Sequence, residues 1–508
     1  MSDRRDSRQL TINLIAQLMA FVVSFGISFF VTPYVTQKLG SEAYGFINLA
    51  DNFVNYASLI TIALNSMASR FITIKIYEDK MDEANTYFNS VLVGNIFLML
   101  VVGIFSILCT FNIEKIVSIP ESLVIDVKIT FFIVFLNFII GIITSVFSIA
   151  FFTTNRMDIS SKRSIEANLI RAIIIIVGYV FFRPRIIYYA IASIVASIFI
   201  LFTDVYYSRK LLPEIKVNFS CFDIKKVIEL IEAGVWNVIT KLSQILTNGL
   251  DLLISNIFIS SVVMGELAIA QTVPNVIMNL IPTISNVFSP EMTIHYAKKD
   301  KDSLINIISK AIRLMTVFTI IPDAMLIAFG TDFFKLWMPG QNAEKLCILA
   351  ILCVINTVIS GPIQPLYQVF TITNKVRQNA VAMIIYGAAS ICITIMVLKT
   401  TSLGIYAIVG VSSLSSVLVN CIFTIPFSAV YLELRWYTFF PHVFRAAILT
   451  AILTLVNSAV SRFVICDTWG KLILAGIISA IIDLIINIFV LLKKNERREL
   501  LSKVRTKR

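Results

Sequence analysis

Long apolar runs separated by short polar intervals recur along the whole chain. A run of about 20 apolar residues, rising about 1.5 Å each as a helix, matches the hydrocarbon thickness of a bilayer. The pattern predicts membrane spans near 10–35, 43–66, 86–110, 126–152, 164–182, 187–207, 233–258, 263–288, 304–329, 345–370, 378–398, 403–428, 438–461 and 469–492. The division of 164–207 into two spans rests on Arg183-Pro184-Arg185, a short turn signal. Residues 1–10 are polar and basic, and the run after them is too long for a cleaved signal, so it reads as the first span. Residues 222–232 place Phe222, Ile224, Val227, Ile228 and Ile231 on one face. This predicts an amphipathic helix on the cytoplasmic surface ahead of the seventh span. Residues 297–310, rich in Lys and Asp, read as a charged cytoplasmic turn before the ninth.

Polar residues inside the runs fall on helical stripes. In the seventh span Asn237, Lys241, Gln244, Asn248 and Asp251 are spaced four, three, four and three, which puts them on one face. The eighth carries Gln271, Asn275, Asn279 and Asn286, with Pro274 and Pro282 interrupting its ladder. The second carries Asn48, Asp51, Asn52, Asn55 and Asn65, and the first Asn13, Gln17, Ser24, Ser28 and Thr32. A shift of about 224 residues superposes Asn13 on Asn237, Gln17 on Lys241, Ser24 on Asn248, Glu42 on Glu266, Asp51 on Asn275 and Asn55 on Asn279. Such self-similarity predicts a parallel repeat of six spans, with spans thirteen and fourteen outside it. The predicted organisation is an N-lobe at 1–208 and a cytoplasmic linker with the amphipathic helix at 209–232. A C-lobe follows at 233–430, then the last two spans and a basic cytoplasmic tail at 431–508.

Placing a charge against lipid at mid-membrane costs about 2.5–3.5 kcal/mol on insertion scales. Stripes that face one another or water avoid most of that cost. Four stripes at repeat-related positions therefore predict a wet cavity, although interhelical hydrogen bonding alone could also use Asn and Gln.

Composition and charge sharpen this picture. Of 508 residues 57% are hydrophobic and 15% charged, and mean hydropathy is +0.85. No stretch is left for a sizeable soluble domain. About 31 of the 43 Lys and Arg fall in alternate loops and both tails, which predicts that both termini are cytoplasmic. Arg183 and Arg185 on a short outer loop are the exceptions. The net charge of +12 owes much to the tail residues Lys493, Lys494, Arg497, Arg498, Lys503, Arg505, Lys507 and Arg508. Their position beside a span suits anionic lipid headgroups and not nucleic acid. Seven scattered cysteines show no redox or metal spacing.

Candidate chemistry is that of binding. Lys241 lies in the cytoplasmic half of its span, Arg171 about two turns inside the fifth, and Arg70 at the cytoplasmic end of the second. A cation in a low-dielectric cavity attracts phosphate, so Lys241, with Arg70 or Arg171, is expected to hold an anionic headgroup. The chain has no phosphate-binding G-x-x-x-x-G-K-[ST] loop. Its two histidines, His295 and His442, are too separate in sequence for a metal pair. No cofactor, metal or catalytic residue is expected.

Four stretches carry a family resemblance. They are Tyr34-Val35-Thr36-Gln37-Lys38-Leu39-Gly40 with Ala43-Tyr44-Gly45, and Met67-Ala68-Ser69-Arg70-Phe71-Ile72. The third is Phe288-Ser289-Pro290-Glu291-Met292. The last runs from Pro322 to Leu336-Trp337-Met338-Pro339-Gly340, then to Gly361-Pro362-Ile363-Gln364-Pro365-Leu366 and Thr373-Asn374-Lys375. In these the chain resembles polysaccharide flippases of the multidrug/oligosaccharidyl-lipid/polysaccharide exporter superfamily, of the O-antigen (Wzx-like) type. The resemblance implies an all-α integral membrane protein of about fourteen helices, as two six-helix lobes in a V plus two C-terminal helices. It also implies alternating access that carries an undecaprenyl-pyrophosphate-linked oligosaccharide across the bacterial cytoplasmic membrane, with a proton or sodium ion as coupling ion. Two departures separate the chain from relatives. Residues 10–35 contain no Asp or Glu, where multidrug exporters often carry an acidic cation site. Gln17, and Leu59-Ile60 deep in the second span, stand where lipid II flippases carry charges.

The expected substrate cavity is therefore Asn13, Gln17, Asp51, Asn55, Arg70, Arg171, Asn237, Lys241, Gln244, Asn248, Asp251, Gln271, Asn275 and Asn279. The alternatives are a cation-coupled multidrug or small-molecule antiporter, and a membrane glycosyltransferase or polymerase.

Overall fold

The computed structural model describes residues 2–464 and 466–491, with side chains at all of these except 2–8, 10, 11, 14, 248, 290 and 297. The basic tail from Lys493 onward thus lies outside the described residues. Every regular element described is helical, as a chain in hydrocarbon requires when no water can satisfy its backbone. The first half contains α1 (Ser2–Leu39), α2 (Ser41–Ala57), α3 (Leu59–Tyr77), α4 (Met81–Ile116), α5 (Val124–Thr153), α6 (Met157–Phe181) and α7 (Ile187–Leu211). Then come α8 (Ile224–Gln244), α9 (Asp251–Phe258), α10 (Ser261–Ala270), α11 (Thr272–Ser285) and α12 (Ser289–Ala297). The remainder is α13 (Lys301–Trp337), α14 (Ala343–Ser360), α15 (Gln364–Ile372), α16 (Val376–Thr400), α17 (Ile405–Val419), α18 (Ile425–Tyr431), α19 (Phe440–Phe463) and α20 (Trp469–Leu491).

All fourteen predicted spans fall on these helices, but not all are single membrane-crossing helices. Among the described residues twelve are long and apolar enough to cross a membrane, and the pair α10–α11, bent by 47°, makes thirteen. The predicted span 43–66 crosses the break at Ser58, the apolar stretch long enough to cross being α3, Leu59–Tyr77, and the predicted span 233–258 is α8 and α9 joined by a wide π-type turn at 245–249. Its polar stripe and this break leave it without an uninterrupted apolar stretch. The turn at Arg183–Pro184–Arg185 is real, since α6 ends at Phe181 and α7 begins at Ile187. The exceptional Arg185 is neutralised, its Nε lying 3.1 Å from both carboxylate oxygens of Asp126.

The amphipathic stretch 222–232 is not a separate surface helix. It forms the first turns of α8, which continues unbroken into the predicted span. Val227 turns inward and packs with Leu230 among Leu64, Ala68, Ile72 and Val91, leaving Ile224, Ile228 and Ile231 exposed.

The chain forms two compact units, Met1–Ala268 and Ile269–Arg508. The lobe limits of 1–208 and 233–430 follow the repeat and are not the limits of these units. The first unit takes in α8 because small residues let α3 and α8 touch. A Cβ placed on Gly234 would sit 1.9 Å from the Ala63 carbonyl oxygen. At the start of α2, a Cβ on Gly45 would meet the Cα of Gly265 at 2.8 Å, and one on Gly265 the Ser41 oxygen at 2.2 Å. Such small-residue contacts replace the hydrophobic drive that helices lose in lipid. In the second unit α13, 37 residues long, buries Ile312 with Ile363 and Leu366 of the α14–α15 region. It buries Ile320 and Ala324 with Leu449 and Leu453 of α19, and Phe329 with Leu472 of α20. Its first turn is capped by Asp300, which accepts from the Ser303 backbone N–H at 3.1 Å. Hydrogen bonding to Ser303 holds that carboxyl below the usual range.

The repeat is visible in the turns. Asp79, Asn155, Lys299 and Asn374 all have φ between 54° and 58°. Each is followed by an amide bonded to a carbonyl five residues back: Lys80 to Lys75, Arg156 to Phe151, Asp300 to His295 and Lys375 to Phe370. This is the Schellman closure of a helix end. The Asp79 and Lys299 turns stand 220 residues apart, and the Asn155 and Asn374 turns 219. The starts of α2 and α10, Ser41 and Ser261, also differ by 220. The expected shift of 224 is therefore too long by four residues. Four residues exceed one helical turn by only about 40°, so the slipped register still laid polar stripe on polar stripe. The corrected pairs are Gln17 with Asn237, Gly45 with Gly265, Asp51 with Gln271 and Asn55 with Asn275.

Gly234→Ala is expected to lower the thermal midpoint of the purified protein by several degrees, overpacking costing about 1–3 kcal/mol. Gly26→Ala, whose added Cβ meets nothing within 4 Å, should leave it unchanged when both are followed by size-exclusion after heating.

Candidate functional site

In the first unit α2 is organised around an exposed polar face. Ala43, Tyr44, Phe46, Ile47, Leu49, Ala50, Phe53 and Ala57 are buried. Asp51 and Asn55 are exposed, and Asn48 and Asn52 half-buried beside them. A membrane helix turned this way has its apolar sides packed and its polar side open, with only Asn48 returning its amide to the Tyr44 carbonyl at 3.0 Å. That is the reverse of what lipid favours.

Arg171 of α6 lies within electrostatic reach of Asp51. Its guanidinium stacks 4.3 Å from the centre of the Tyr189 ring of α7, and its charge acts on both Tyr189 and Asp51. Cation–π stacking of this kind contributes roughly 0.5–2 kcal/mol, most where water is excluded. It holds the guanidinium against the ring. Arg171 lies ten residues inside the α6 C-terminal end, about 15 Å along the helix.

A second group forms along α3 and α8. Asn237 donates to the Ser66 hydroxyl at 2.9 Å. Arg70, exposed, follows Ser66 by one turn, and Lys241, half-buried, follows Asn237 by one turn. Among the described residues neither cation has an ion-pair partner. Gln244 is exposed at the end of α8. Beyond it the Tyr56 hydroxyl donates to the Gly249 carbonyl at 2.6 Å, bridging α2 to the π-type turn, and Asp251 opens α9 within electrostatic reach of that hydroxyl. Gln17 is half-buried on α1. The side chain of Asn248 lies outside the described residues.

The second unit carries a polar face of its own. On α11 Pro274, Ile277, Ile281 and Ser285 are buried, while Asn275, Asn279 and Thr283 are exposed and Gln271 is half-buried at its start.

One expected cavity residue is misplaced. Asn13 is 6% exposed. It accepts from the Asp158 backbone N–H at 3.0 Å and donates to the Asn155 backbone and side-chain oxygens at 3.0 and 2.8 Å. It fastens α1 to the α5–α6 turn, a structural duty that uses up its amide. Tyr189 and Tyr56 were missed because aromatics in a span read as apolar filler. The buried acids Asp204, Asp323 and Asp483 were missed too, although an acid within an apolar run is itself a signal. Among the described residues no cluster of three or more His, Cys, Asp or Glu is placed to hold a metal ion.

Comparison with known proteins bears on these faces. The family description "Polysaccharide biosynthesis protein" matches residues 10–293, more than half of the chain. The chain belongs to that family. It is 26% identical over 506 residues, 98% of each chain, to the uncharacterized membrane protein EpsK of Bacillus subtilis (strain 168). Two solved structures share its fold. One is the lipid II flippase MurJ in an inward closed conformation, with TM-score 0.66, 16% identity, and coverage of 95% of this chain and 100% of that one. The other is an inward-facing multidrug resistance MATE family transporter of the MOP superfamily, with TM-score 0.67, 11% identity, and coverage of 83% and 98%. This member of the polysaccharide biosynthesis protein family is thus a multi-pass, all-α membrane protein of the MurJ and MATE fold.

Asn13→Leu should lower stability by about 1 kcal/mol, because it removes the three hydrogen bonds that tie α1 to the α5–α6 turn. Asn55→Leu should stay within about 0.5 kcal/mol of the parent. Thermal unfolding of the two proteins side by side distinguishes a latch from a free face.

Proposed function

We propose that this protein flips a polyprenyl-pyrophosphate-linked oligosaccharide from the inner to the outer leaflet of the bacterial cytoplasmic membrane, by alternating access, for surface polysaccharide assembly. The observation that carries the reading is the free amide face of α2, with the stacked Arg171 beside it. Amides both donate and accept, and so match the hydroxyls of a neutral sugar chain. A fixed guanidinium offers paired donors to a phosphate oxygen edge. Asn48, Asn52 and Asn55, with Asn275 and Asn279, would serve the sugar. Arg171, Lys241 and Arg70 would serve the pyrophosphate, and Asp51 would orient Arg171. The undecaprenyl tail needs no polar site and would stay in the lipid.

In this reading the repeat halves, spans one to six and seven to twelve, alternate in access, both termini are cytoplasmic, and a proton or sodium gradient drives the cycle. The product enters O-antigen, capsule or exopolysaccharide synthesis. Amide-rich faces suit a polyhydroxyl cargo better than the greasy cations of a drug antiporter.

The test is transfer of a fluorescent lipid-linked oligosaccharide in proteoliposomes, read by enzymatic access to the outer leaflet. Arg171→Ala should cut the rate at least about tenfold, a lost charge-assisted contact being worth about 1.5–3 kcal/mol, and Arg171→Lys should recover part of it. Lys241→Ala with an unchanged rate would remove that residue from the site. Efflux of cationic dyes without lipid transfer would favour the antiporter, and new glycosidic bonds would favour an enzyme.

A further inference from the structure

Where α6 begins and α7 finishes, the first unit carries a basic cavity that the proposed transport site does not use. Arg156 precedes α6, and Asp158, Lys162 and Arg163 lie in its first two turns, while Tyr207 and Lys210 lie at the end of α7. These side chains line one cavity of about 370 Å³. The Tyr207 ring is held edge-on to Tyr206 at 5.2 Å and tilted against Phe151 at 6.3 Å. The Arg163 guanidinium stands 5.8 Å from its centre.

The charges in this cavity do not cancel. Arg156 bonds Asp158 at two points, Nε to Oδ1 at 3.0 Å and Nη2 to Oδ2 at 3.2 Å. Gln9 also donates to that carboxylate at 3.0 Å. Arg163 Nη1 meets Glu166 at 2.7 Å, but Arg163 Nε is buried without a hydrogen-bond partner. Lys162 and Lys210 are exposed and have no ion-pair partner among the described residues. Each carboxylate is thus matched to an arginine, and an ammonium group from each helix is left over on one cavity. A second cavity of about 520 Å³ adjoins the first and shares Lys210 with it. Its other lining residues are Phe202, Val205, Tyr206 and Arg209, spaced three, one and three and so on one face of α7. Phe202 is 71% exposed and Tyr206 60%. This face is therefore apolar and uncovered until Arg209 and Lys210 in the last turn of α7. Phe202 precedes Lys210 by eight residues, about 12 Å along the helix.

We propose that the two joined cavities bind one anionic phospholipid, with its phosphate at Lys162, Lys210 and Arg163 Nε and its acyl chains along Val205 and Phe202. Lysines hold phosphate as point charges, and a guanidinium adds a directed donor. Basic pockets between helices at a membrane face are where anionic headgroups are recognised. A free phosphate ligand makes no use of the apolar half. A zwitterionic lipid brings its own cation to a cavity that is already positive. Tyr206 stands at the border between the halves, with the apolar ring and polar tip that suit a membrane interface. The lipid fastens α7 to α6, independently of what the protein carries.

The experiment adds phosphatidylglycerol to the purified full-length protein in a neutral detergent. Thermal unfolding follows the midpoint, and native mass spectrometry counts the lipids that stay bound. The expected result is a saturable rise of the midpoint, as for any ligand that binds only the folded state, with one tightly held lipid. Phosphatidylcholine and glycerol 3-phosphate should give no such rise. Lys162→Gln combined with Lys210→Gln should weaken phosphatidylglycerol about tenfold or more, two cations beside a headgroup being lost. Lys298→Gln combined with Lys299→Gln removes the same charge elsewhere and should leave the affinity unchanged. Should the first pair fail to fold, Arg163→Gln takes its place, with a loss of several-fold. Equal rises with phosphatidylcholine overturn the proposal, as does a rise with glycerol 3-phosphate alone. Equal weakening by the two lysine pairs overturns it too, since the effect is then one of general charge. Undecaprenyl phosphate displacing phosphatidylglycerol one for one would give the cavity to the cargo, and also overturns it.

Discussion

Water is absent from the hydrocarbon core, so every polar group there must find a partner inside the protein or lie on a face that water or a ligand can reach. The backbone meets this condition by being helical throughout the described spans, and the turns meet it by closing on themselves. At Asp79, Asn155, Lys299 and Asn374 a residue with positive φ swings the next amide back onto the helix it has just left. Side chains obey as well. Thr36, Thr316 and Thr394 return their hydroxyls to the carbonyl one turn behind, and Arg185 meets Asp126.

Against that background, the polar groups that satisfy the condition in no such way stand out. The face of α2 is left free while its apolar sides are packed, which is intelligible if cargo or water completes it. Arg171 shows how one charge is held there: its guanidinium lies over the Tyr189 ring. Asn13 is the opposite case. Its amide has as many partners as the α5–α6 turn can offer, and nothing remains for a ligand. A stripe of polar residues thus divides into latches and free groups only when each partner is known.

The repeat shows how periodicity can mislead while remaining right in kind. A shift near 220 residues was visible because polar side chains are rare in spans. Its exact value was hidden because a slip of four residues turns a helix by little. Helix ends and positive-φ turns carry no such degeneracy, and they set the register. The π-type turn at 245–249 was equally hidden, since the stripe from Asn237 to Asp251 keeps a helical spacing through it.

Hydrophobic run length by itself determined the all-helical membrane class and most of the span positions, because bilayer thickness and backbone satisfaction act on any chain of this composition, and the Arg183-Pro184-Arg185 punctuation located the turn between α6 and α7. Rare polar residues and motif order further pointed to a polysaccharide exporter. Tertiary structure alone decided which polar side chains are spent. It placed Tyr189 under Arg171, tied Asn13 to Asn155, let Gly234 close on Ala63 and merged the amphipathic stretch into α8. It also bonded Asn457 to Asp483 across separate helices. Hydrogen bonds and small-residue contacts depend on approach between segments far apart in the chain, and periodicity records only which way a residue faces, not what it meets.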